Sequence, residues 1–172
     1  IDQDGNGRAD DVIGWNFPAQ NGNPTGISGQ STNFAHGTAT ASHSSAATNN
    51  GLGMAGSSWN CRLMPINAAA TSDNMIEYGA EGIEYASRMG ARVINCSFGR
   101  IGGYSRFEQE IIDSAAARGA LVVAASGNDN TNGDFTPHYP SHYRNVLAVG
   151  ATGSVDDSRA TFSNYGVNVP VY

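Results

Sequence analysis

The stretch Ala120-Leu121-Val122-Val123-Ala124-Ala125-Ser126-Gly127-Asn128 decides the fold. Its apolar residues follow one another without polar alternation, which predicts a strand that is buried on both faces. The serine and glycine after Ala125 predict that the strand ends there in a turn. Such a strand is typical of a parallel sheet, because helices cover both faces of parallel sheets.

Strands and helices are predicted to alternate on both sides of this stretch. Continuously apolar strands that alternate with helices of a dozen or more residues indicate a parallel α/β fold. We therefore expect a three-layer α/β fold, with a mostly parallel sheet, helices on both faces and right-handed crossovers. The other predicted strands are residues 12–17, 62–67, 92–97 and 145–150, and the predicted helices are residues 36–48, 74–89 and 106–118.

Residues that favour helix ends mark the boundaries of the second and third helices. Ser72 or Asp73 is predicted to cap the second helix, and Ser105 the third. Gly90 and Gly119 are predicted to follow the last turns, where a left-handed backbone is common. The third helix is predicted to bury one stripe, made of Phe107, Ile111, Ile112 and Ala115.

Length and charge exclude several classes of protein. The 172 residues fit one domain, and no run of about 18 apolar residues predicts a membrane-spanning helix. The net charge is −6 and the nine basic residues are scattered, which argues against a nucleic-acid partner. Only 14% of residues are charged and 22 are glycine, as in many extracellular hydrolases.

The two cysteines are predicted to be free, buried thiols. Cys61 precedes one predicted strand, whereas Cys96 lies at the end of another. If these two strands were parallel neighbours, the two cysteines would lie at opposite ends of them, about 15 Å apart. A disulfide requires Cα atoms within about 7 Å of each other.

The N-terminal segment has the spacing of a calcium-binding loop. Calcium prefers oxygen ligands, and such loops place them at alternate positions with a glycine at the sharp turn, here Gly7. The segment departs from the pattern at its twelfth position, where Ile13 replaces the bidentate acid, and a loop of Asx turns without an ion is the alternative. The candidate ligands are Asp2, Asp4, Asn6, the carbonyl of Arg8, and Asp10.

Side chains that could take part in catalysis or ligand binding occur in one predicted helix and at the ends of two predicted strands. Histidine takes up and releases protons near neutral pH, and His36 is predicted to lie in the first turn of its helix. Ser97-Phe98-Gly99 and Ser126-Gly127-Asn128 come at the ends of two of the predicted parallel strands, so both are expected at the same sheet edge, where α/β folds collect functional groups. An asparagine amide there can donate two hydrogen bonds.

Several of these segments together resemble the subtilisin-like serine peptidases (subtilases). They occur in the order and at the spacing of that family along nearly the whole chain. The matching segments are His36-Gly37-Thr38, residues 50–56, Leu63-Met64-Pro65-Ile66, residues 93–99, residues 122–128, Tyr139-Pro140-Ser141, residues 146–151 and Phe162-Ser163-Asn164-Tyr165-Gly166.

The resemblance implies a secreted serine endopeptidase that cleaves polypeptides. It implies that His36 is the general base of the triad and that Asn128 stabilises the oxyanion. It also implies that two segments pair with an extended peptide and flank the primary specificity pocket. These segments are Ser97-Phe98-Gly99 and Ala125-Ser126-Gly127.

Two family motifs are not found in the chain. The triad aspartate lies in Asp-Ser/Thr-Gly ahead of the histidine, and the nucleophile lies in Gly-Thr-Ser-x-Ala after Phe-Ser-Asn-Tyr-Gly; neither motif is present. We therefore expect residues 1–172 to be a partial catalytic domain, inactive without the remaining parts of that domain. A non-catalytic pseudopeptidase or peptide-binding module of the same fold is the alternative. A nucleotide-binding domain is disfavoured, because no Gly-x-Gly-x-x-Gly follows the first strand.

The other three histidines are predicted to have no catalytic or metal-binding role. His43 lies two helical turns after His36, and a packing or polar contact is expected. His138 and His142 flank Tyr139-Pro140-Ser141 and are predicted to be surface loop residues.

Overall fold

The computed structural model describes residues 5–9, 13–25, 31–69 and 75–172. The chain divides into two compact units, residues 1–82 and 83–172. None of the described helices is long and apolar enough to cross a membrane. The elements are β1 (Trp15–Asn16), α1 (Ser31–Ser45), β2 (Ile66–Asn67), α2 (Gly79–Arg88), β3 (Val93–Cys96), β4 (Arg100–Ile101), α3 (Arg106–Ala117), β5 (Leu121–Ala125), β6 (His138–Tyr139) and β7 (Val146–Val149).

A parallel sheet forms the centre of the second unit. Its strand order is β3-β5-β7, so the apolar run Leu121–Ala125 forms the middle strand. Cys96 lies opposite Ala124, and Ala124 lies opposite Ala148. Helix α3 packs against β5. The α/β class and the parallel pairing predicted from the apolar runs are confirmed.

The two faces of this sheet differ in burial. Cys96, Ala124 and Ala148 lie on the covered face and are almost fully buried. On the other face Val93 is 63% exposed. Burial raises the pKa of the Cys96 thiol to about 12, because the thiolate would lose its hydration.

Helix α3 begins and ends where its capping residues predict. The Ser105 hydroxyl accepts a hydrogen bond from the Glu108 backbone N–H at 3.3 Å. At the other end Gly119 has a φ of +86°, and the Ala120 N–H donates to the Ala115 carbonyl at 3.1 Å. These bonds satisfy backbone groups that a helix end leaves unpaired.

The predicted apolar stripe of α3 is partly wrong. Ile111, Ile112 and Ala115 are buried, but Phe107 is 59% exposed. Gln109 is buried instead, because its side chain is paired at both ends. Its Nε2 donates to Asp113 and to the Arg144 carbonyl, and its Oε1 accepts from the Arg144 N–H.

Helix α2 starts later than residue 74. The Tyr78 N–H donates to the Ala68 carbonyl at 3.0 Å, and the Tyr78 ring stacks on Phe17 with centroids 5.9 Å apart. These contacts hold the residues before Gly79 as a loop, which leaves Met75 exposed. The predicted caps Ser72 and Asp73 lie outside the described residues, whereas Gly90 ends the helix as predicted, with a φ of +85°.

The first unit contains a short parallel pair, β1 and β2, with Trp15 opposite Ile66. The strand predicted at residues 62–67 is reduced to its last two residues. Gly14 permits the close approach, since a Cβ there would overlap the Pro65 carbonyl oxygen.

Two further expectations are corrected in the first unit. Helix α1 begins at Ser31, so His36 lies in its second turn and not in its first. Both cysteines are free as predicted, but Cys61 is exposed and not buried. The strand predicted at residues 62–67 does not bury Cys61, because its pairing with β1 begins only at Ile66.

Candidate functional site

A cleft of about 240 Å³ lies at the carboxyl edge of the β3-β5-β7 sheet. Ser97 and residues 125–128 line it, together with Gly150 and Ala151 after β7. The structure therefore brings most of the predicted substrate segments and Asn128 together at one edge. Phe98 and Gly99 lie outside the lining of this cleft.

Asn128 occupies an exposed turn directly after β5. The backbone on both sides of it is fixed by Asn164. The Asn164 Oδ1 accepts from the N–H groups of Asp129 at 2.9 Å and of Thr131 at 3.0 Å. The Asn164 backbone N–H donates to the Gly127 carbonyl at 3.0 Å. The turn that carries the Asn128 amide is therefore pre-organised.

Asn164 was not identified as a positioning residue from the sequence. It is 2% exposed, and its Nδ2 also donates to the Ser126 carbonyl at 2.9 Å. The only signal for it is its place inside Phe-Ser-Asn-Tyr-Gly. That motif marks the segment, but the contacts of Asn164 with residues 126–131 are long-range and have no local pattern.

Two serines, Ser97 and Ser126, border the cleft. Ser126 is buried, and its hydroxyl donates to the Asn164 carbonyl at 3.3 Å. Ser97 Oγ accepts a hydrogen bond from the Asn95 amide at 2.8 Å. The Ser126 hydroxyl is therefore held by a backbone carbonyl and not by an imidazole base, which is the partner that activates a serine nucleophile.

The prediction that His138 and His142 are surface residues is wrong. His138 is 7% exposed, and His142 is half-buried. Short strand β6 pairs antiparallel with β4, with His138 opposite Ile101, so His138 belongs to a strand and not to a surface loop. Neither β4 nor β6 was predicted from the sequence, because each has only two residues.

The environment of His138 disfavours its charged form. Burial lowers its pKa; Asp129 opposes this effect, while His142 and Arg100 add to it. Its Nδ1 is buried and has no hydrogen-bond partner. The neutral form of the His138 imidazole is therefore favoured relative to its charged form.

His36 lies on α1 in the first unit and is exposed. His43, two turns further on, has its Nδ1 2.7 Å from the Ala39 carbonyl oxygen, which is the polar contact expected for it. His36 belongs to the first unit and Asn128 to the second.

The candidate calcium loop is only partly described. Asp2, Asp4 and Asp10 lie outside the described residues. Asn6 Oδ1 accepts from the Arg8 N–H at 2.8 Å, as in an Asx turn. The Arg8 guanidinium lies 4.7 Å from the ring centroids of Trp15 and Phe17. In the part of the chain that the structure describes, no group of three or more His, Cys, Asp or Glu residues could hold a metal ion.

Comparison with known proteins gives a consistent result. The subtilase family model (Peptidase_S8) matches residues 3–171. The chain is 35% identical to thermitase from Thermoactinomyces vulgaris over 161 residues, which are 93% of this chain and 54% of thermitase. It is 35% identical to the extracellular basic protease of Dichelobacter nodosus over 144 residues, which are 78% of this chain and 23% of that protein.

A solved structure agrees with this result. A protease from Pseudoalteromonas arctica matches with a TM-score of 0.69 and 34% identity, covering 75% of this chain and 40% of that one. The chain therefore spans about half of thermitase and less than half of the other two proteins.

Proposed function

Because the chain belongs to the subtilase family, we propose that it is the central part of the catalytic domain of a secreted serine endopeptidase. The complete enzyme hydrolyses peptide bonds in polypeptides through a Ser-His-Asp triad. Residues 1–172 supply the histidine and one oxyanion donor, and the remaining parts of the domain supply the serine and the aspartate. The observation that carries this proposal is the cleft at the sheet edge, which gathers Ser97 and residues 125–128.

Asn128 is assigned the stabilisation of the oxyanion. Its exposed amide follows β5 at the cleft, and the Asn164 bonds fix the backbone around it. A donor that is already oriented stabilises the charge that develops in the transition state without a cost of reorganisation. His36 is assigned the general base, which takes the proton of the nucleophile and returns it to the leaving amine.

The two substrate segments are assigned the binding of an extended peptide. Ser97-Phe98-Gly99 follows β3, and Ala125-Ser126-Gly127 starts at the last residue of β5, so both segments leave the sheet at the same edge. Glycines in these positions allow another backbone to approach closely. A peptide bound along them would present its scissile carbonyl to Asn128.

A second candidate is a pseudopeptidase that binds peptides without cleaving them. It is favoured by one observation, the lack of Asp-Ser/Thr-Gly and Gly-Thr-Ser-x-Ala within these 172 residues. Under either candidate the 172-residue chain by itself does not hydrolyse casein or a peptide ester, because triad members act as a unit.

Substitution of Asn128 tests the proposed function in the complete protein that contains these residues. For Asn128→Ala we expect kcat on a peptide substrate to fall by about 10²–10³-fold with little change in KM, a size adopted from the same donor in subtilisin itself. Asn130→Gly is the matched control, since Asn130 shares the turn and has a φ of +53°. We expect the control to retain nearly full activity.

Two results would contradict the proposal. The first is turnover by the isolated 172-residue chain above the level of a buffer blank. The second is an Asn128→Ala enzyme whose kcat equals that of the Asn130→Gly control. Peptide binding by a complete protein that shows no hydrolysis would support the pseudopeptidase instead.

We also propose that the N-terminal loop binds calcium as a structural ion. The alternation of oxygen-bearing residues at Asp2, Asp4, Asn6 and Asp10 supports it, and so do the turns at Gly5 and Gly7, with φ of +73° and +86°. The Asx turn at Asn6 also occurs in ion-free loops. The ion would stabilise the fold and takes no part in peptide hydrolysis.

A further inference from the structure

The His138 ring fills the space between two glycines of the substrate segments. A Cβ added at Gly99 would lie 2.8 Å from the ring's Nδ1. A Cβ added at Gly127 would lie 2.9 Å from Cδ2 and 3.0 Å from Nε2. One edge of the imidazole therefore faces Gly99 and the opposite edge faces Gly127.

The ring lies where the two segments have left the sheet. The pairing of β3 with β5 ends with Cys96 opposite Ala124, so Gly99 and Gly127 each lie three residues beyond the last pair. The ring occupies the gap that opens there.

The structure around His138 holds the ring in this gap. The His138 N–H donates to His142 Nδ1 at 3.2 Å, and its carbonyl accepts from the Ser141 hydroxyl at 2.7 Å. The Asn168 amide lies 2.9 Å from the same His142 nitrogen and helps to fix it. Only 7% of His138 is exposed, so the ring cannot leave without displacing its neighbours.

We propose that the His138 imidazole closes the inner end of the pocket between residues 97–99 and 125–127 and restricts the entering substrate side chain to small residues. The inference rests on the proposed function, because it assumes that a peptide lies along these segments. The substrate class is a polypeptide with alanine, serine or glycine before the cleaved bond. A leucine or phenylalanine side chain in that position would overlap the His138 ring and be excluded.

A series of peptide substrates tests this in the complete protein. The peptides differ only in the residue before the scissile bond, which is Ala, Ser, Leu, Phe or Glu. We expect kcat/KM for the Ala peptide to exceed that for the Phe peptide by about 10–200-fold, the discrimination that a difference in pocket size provides. In His138→Gly the ratio should fall by a similar factor, because the gap is then open. His43→Ala, at an exposed helix position, is the control and should keep the wild-type ratio.

The wild-type profile decides the proposal even if His138→Gly does not fold. Equal or faster cleavage after Phe would overturn it, and so would a preference for Glu, which would make the imidazole a polar partner. A folded His138→Gly enzyme with an unchanged ratio would also overturn it.

Loss of the proposed function is distinguished by a binding measurement. If the complete protein hydrolyses none of the peptides, the same proposal is tested by NMR titration with short peptides that end in Ala or Phe. Tighter binding of the Ala peptide, with shifts at Gly99 and Gly127, supports the pocket. Equal binding, tighter binding of the Phe peptide, or no binding of either overturns it.

Discussion

At Gly127 the backbone has a φ of +106°, and the space beside it is occupied. A Cβ there would overlap the Asn164 amide nitrogen as well as the His138 ring. Gly119 also has a positive φ, +86°, but no atom lies within 4 Å of its added Cβ. A comparison of substitutions at these two positions therefore distinguishes the cost of backbone strain from the cost of crowding.

Replacement of Gly127 by alanine is expected to lower the free energy of unfolding by about 2–5 kcal/mol. The left-handed backbone contributes about 1–2 kcal/mol, and displacement of the Asn164 bonds adds about 1–3 kcal/mol. Gly119→Ala should lose only the first contribution. Urea denaturation of both variants measures the difference, and equal losses would show that crowding at Gly127 is relieved without cost.

The sequence predicted individual residues where a motif carried them. Asn128 and the glycines of both segments were identified because they follow apolar runs in a recognisable order. The burial of His138 was missed, because the segment around it has the composition of an exposed loop. Its burial depends on Gly99 and Gly127, and no local rule connects residues so far apart in the chain.

At the level of elements, the three strands of the main sheet and the capped ends of α3 were predicted to within about one residue, whereas the starts of α1 and α2 were each misplaced by five residues. Ser105, Gly90 and Gly119 act locally, so the residue type is enough to mark the boundary. Strands β4 and β6 were missed, because their pairing is decided by contacts between distant segments. Arg100 of β4 binds Glu108 at 2.8 Å, and the Tyr143 hydroxyl donates to the same carboxylate at 2.6 Å. These bonds connect the short strand pair to α3.

Loss of the Ser105 cap should weaken α3. For Ser105→Ala we expect the free energy of unfolding to fall by about 1 kcal/mol, because the Glu108 N–H loses its acceptor. Ser114→Ala in the same helix is the control; its hydroxyl bonds only to the Glu110 carbonyl one turn back. That change should be neutral within about 0.5 kcal/mol. Chemical denaturation compares the two, and an equally small effect at Ser105 would argue against the cap.

At the scale of the whole molecule, the sequence predicted the α/β class and the parallel sheet. Both follow from the order and length of the apolar runs, which are properties of the entire chain. How the site is completed could not be predicted from these residues, because the motifs for the serine and the aspartate do not occur among them. The calcium ligands have a sequence pattern, but three of them lie outside the described residues.

The proposed ion should be visible in the thermal stability of the complete protein. At free calcium of 100 times Kd we expect Tm to rise by about 5–10 °C relative to EDTA, because the ion binds only the folded state. Magnesium should have a smaller effect, since it demands a tighter octahedral shell. Asp4→Asn should remove most of the rise.

Asp156→Asn is the matched control for the calcium measurement. Asp156 lies in an exposed turn, where its Oδ1 accepts from the Ser158 N–H at 3.2 Å, a bond that asparagine can also accept. The control should show the full calcium effect. A Tm that is the same in calcium and in EDTA would leave the loop as Asx turns without an ion.

The row formed by Cys96, Ala124 and Ala148 across the sheet has a consequence for the evolution of this sequence. All three side chains are small and lie within 2% of full burial, so a methyl group gained at one position has to be given up at a neighbour. Homologues with a valine at one of these positions should therefore carry, at a neighbouring one, a residue smaller than the one in this chain. Covariation of this kind would identify the sheet register from an alignment alone.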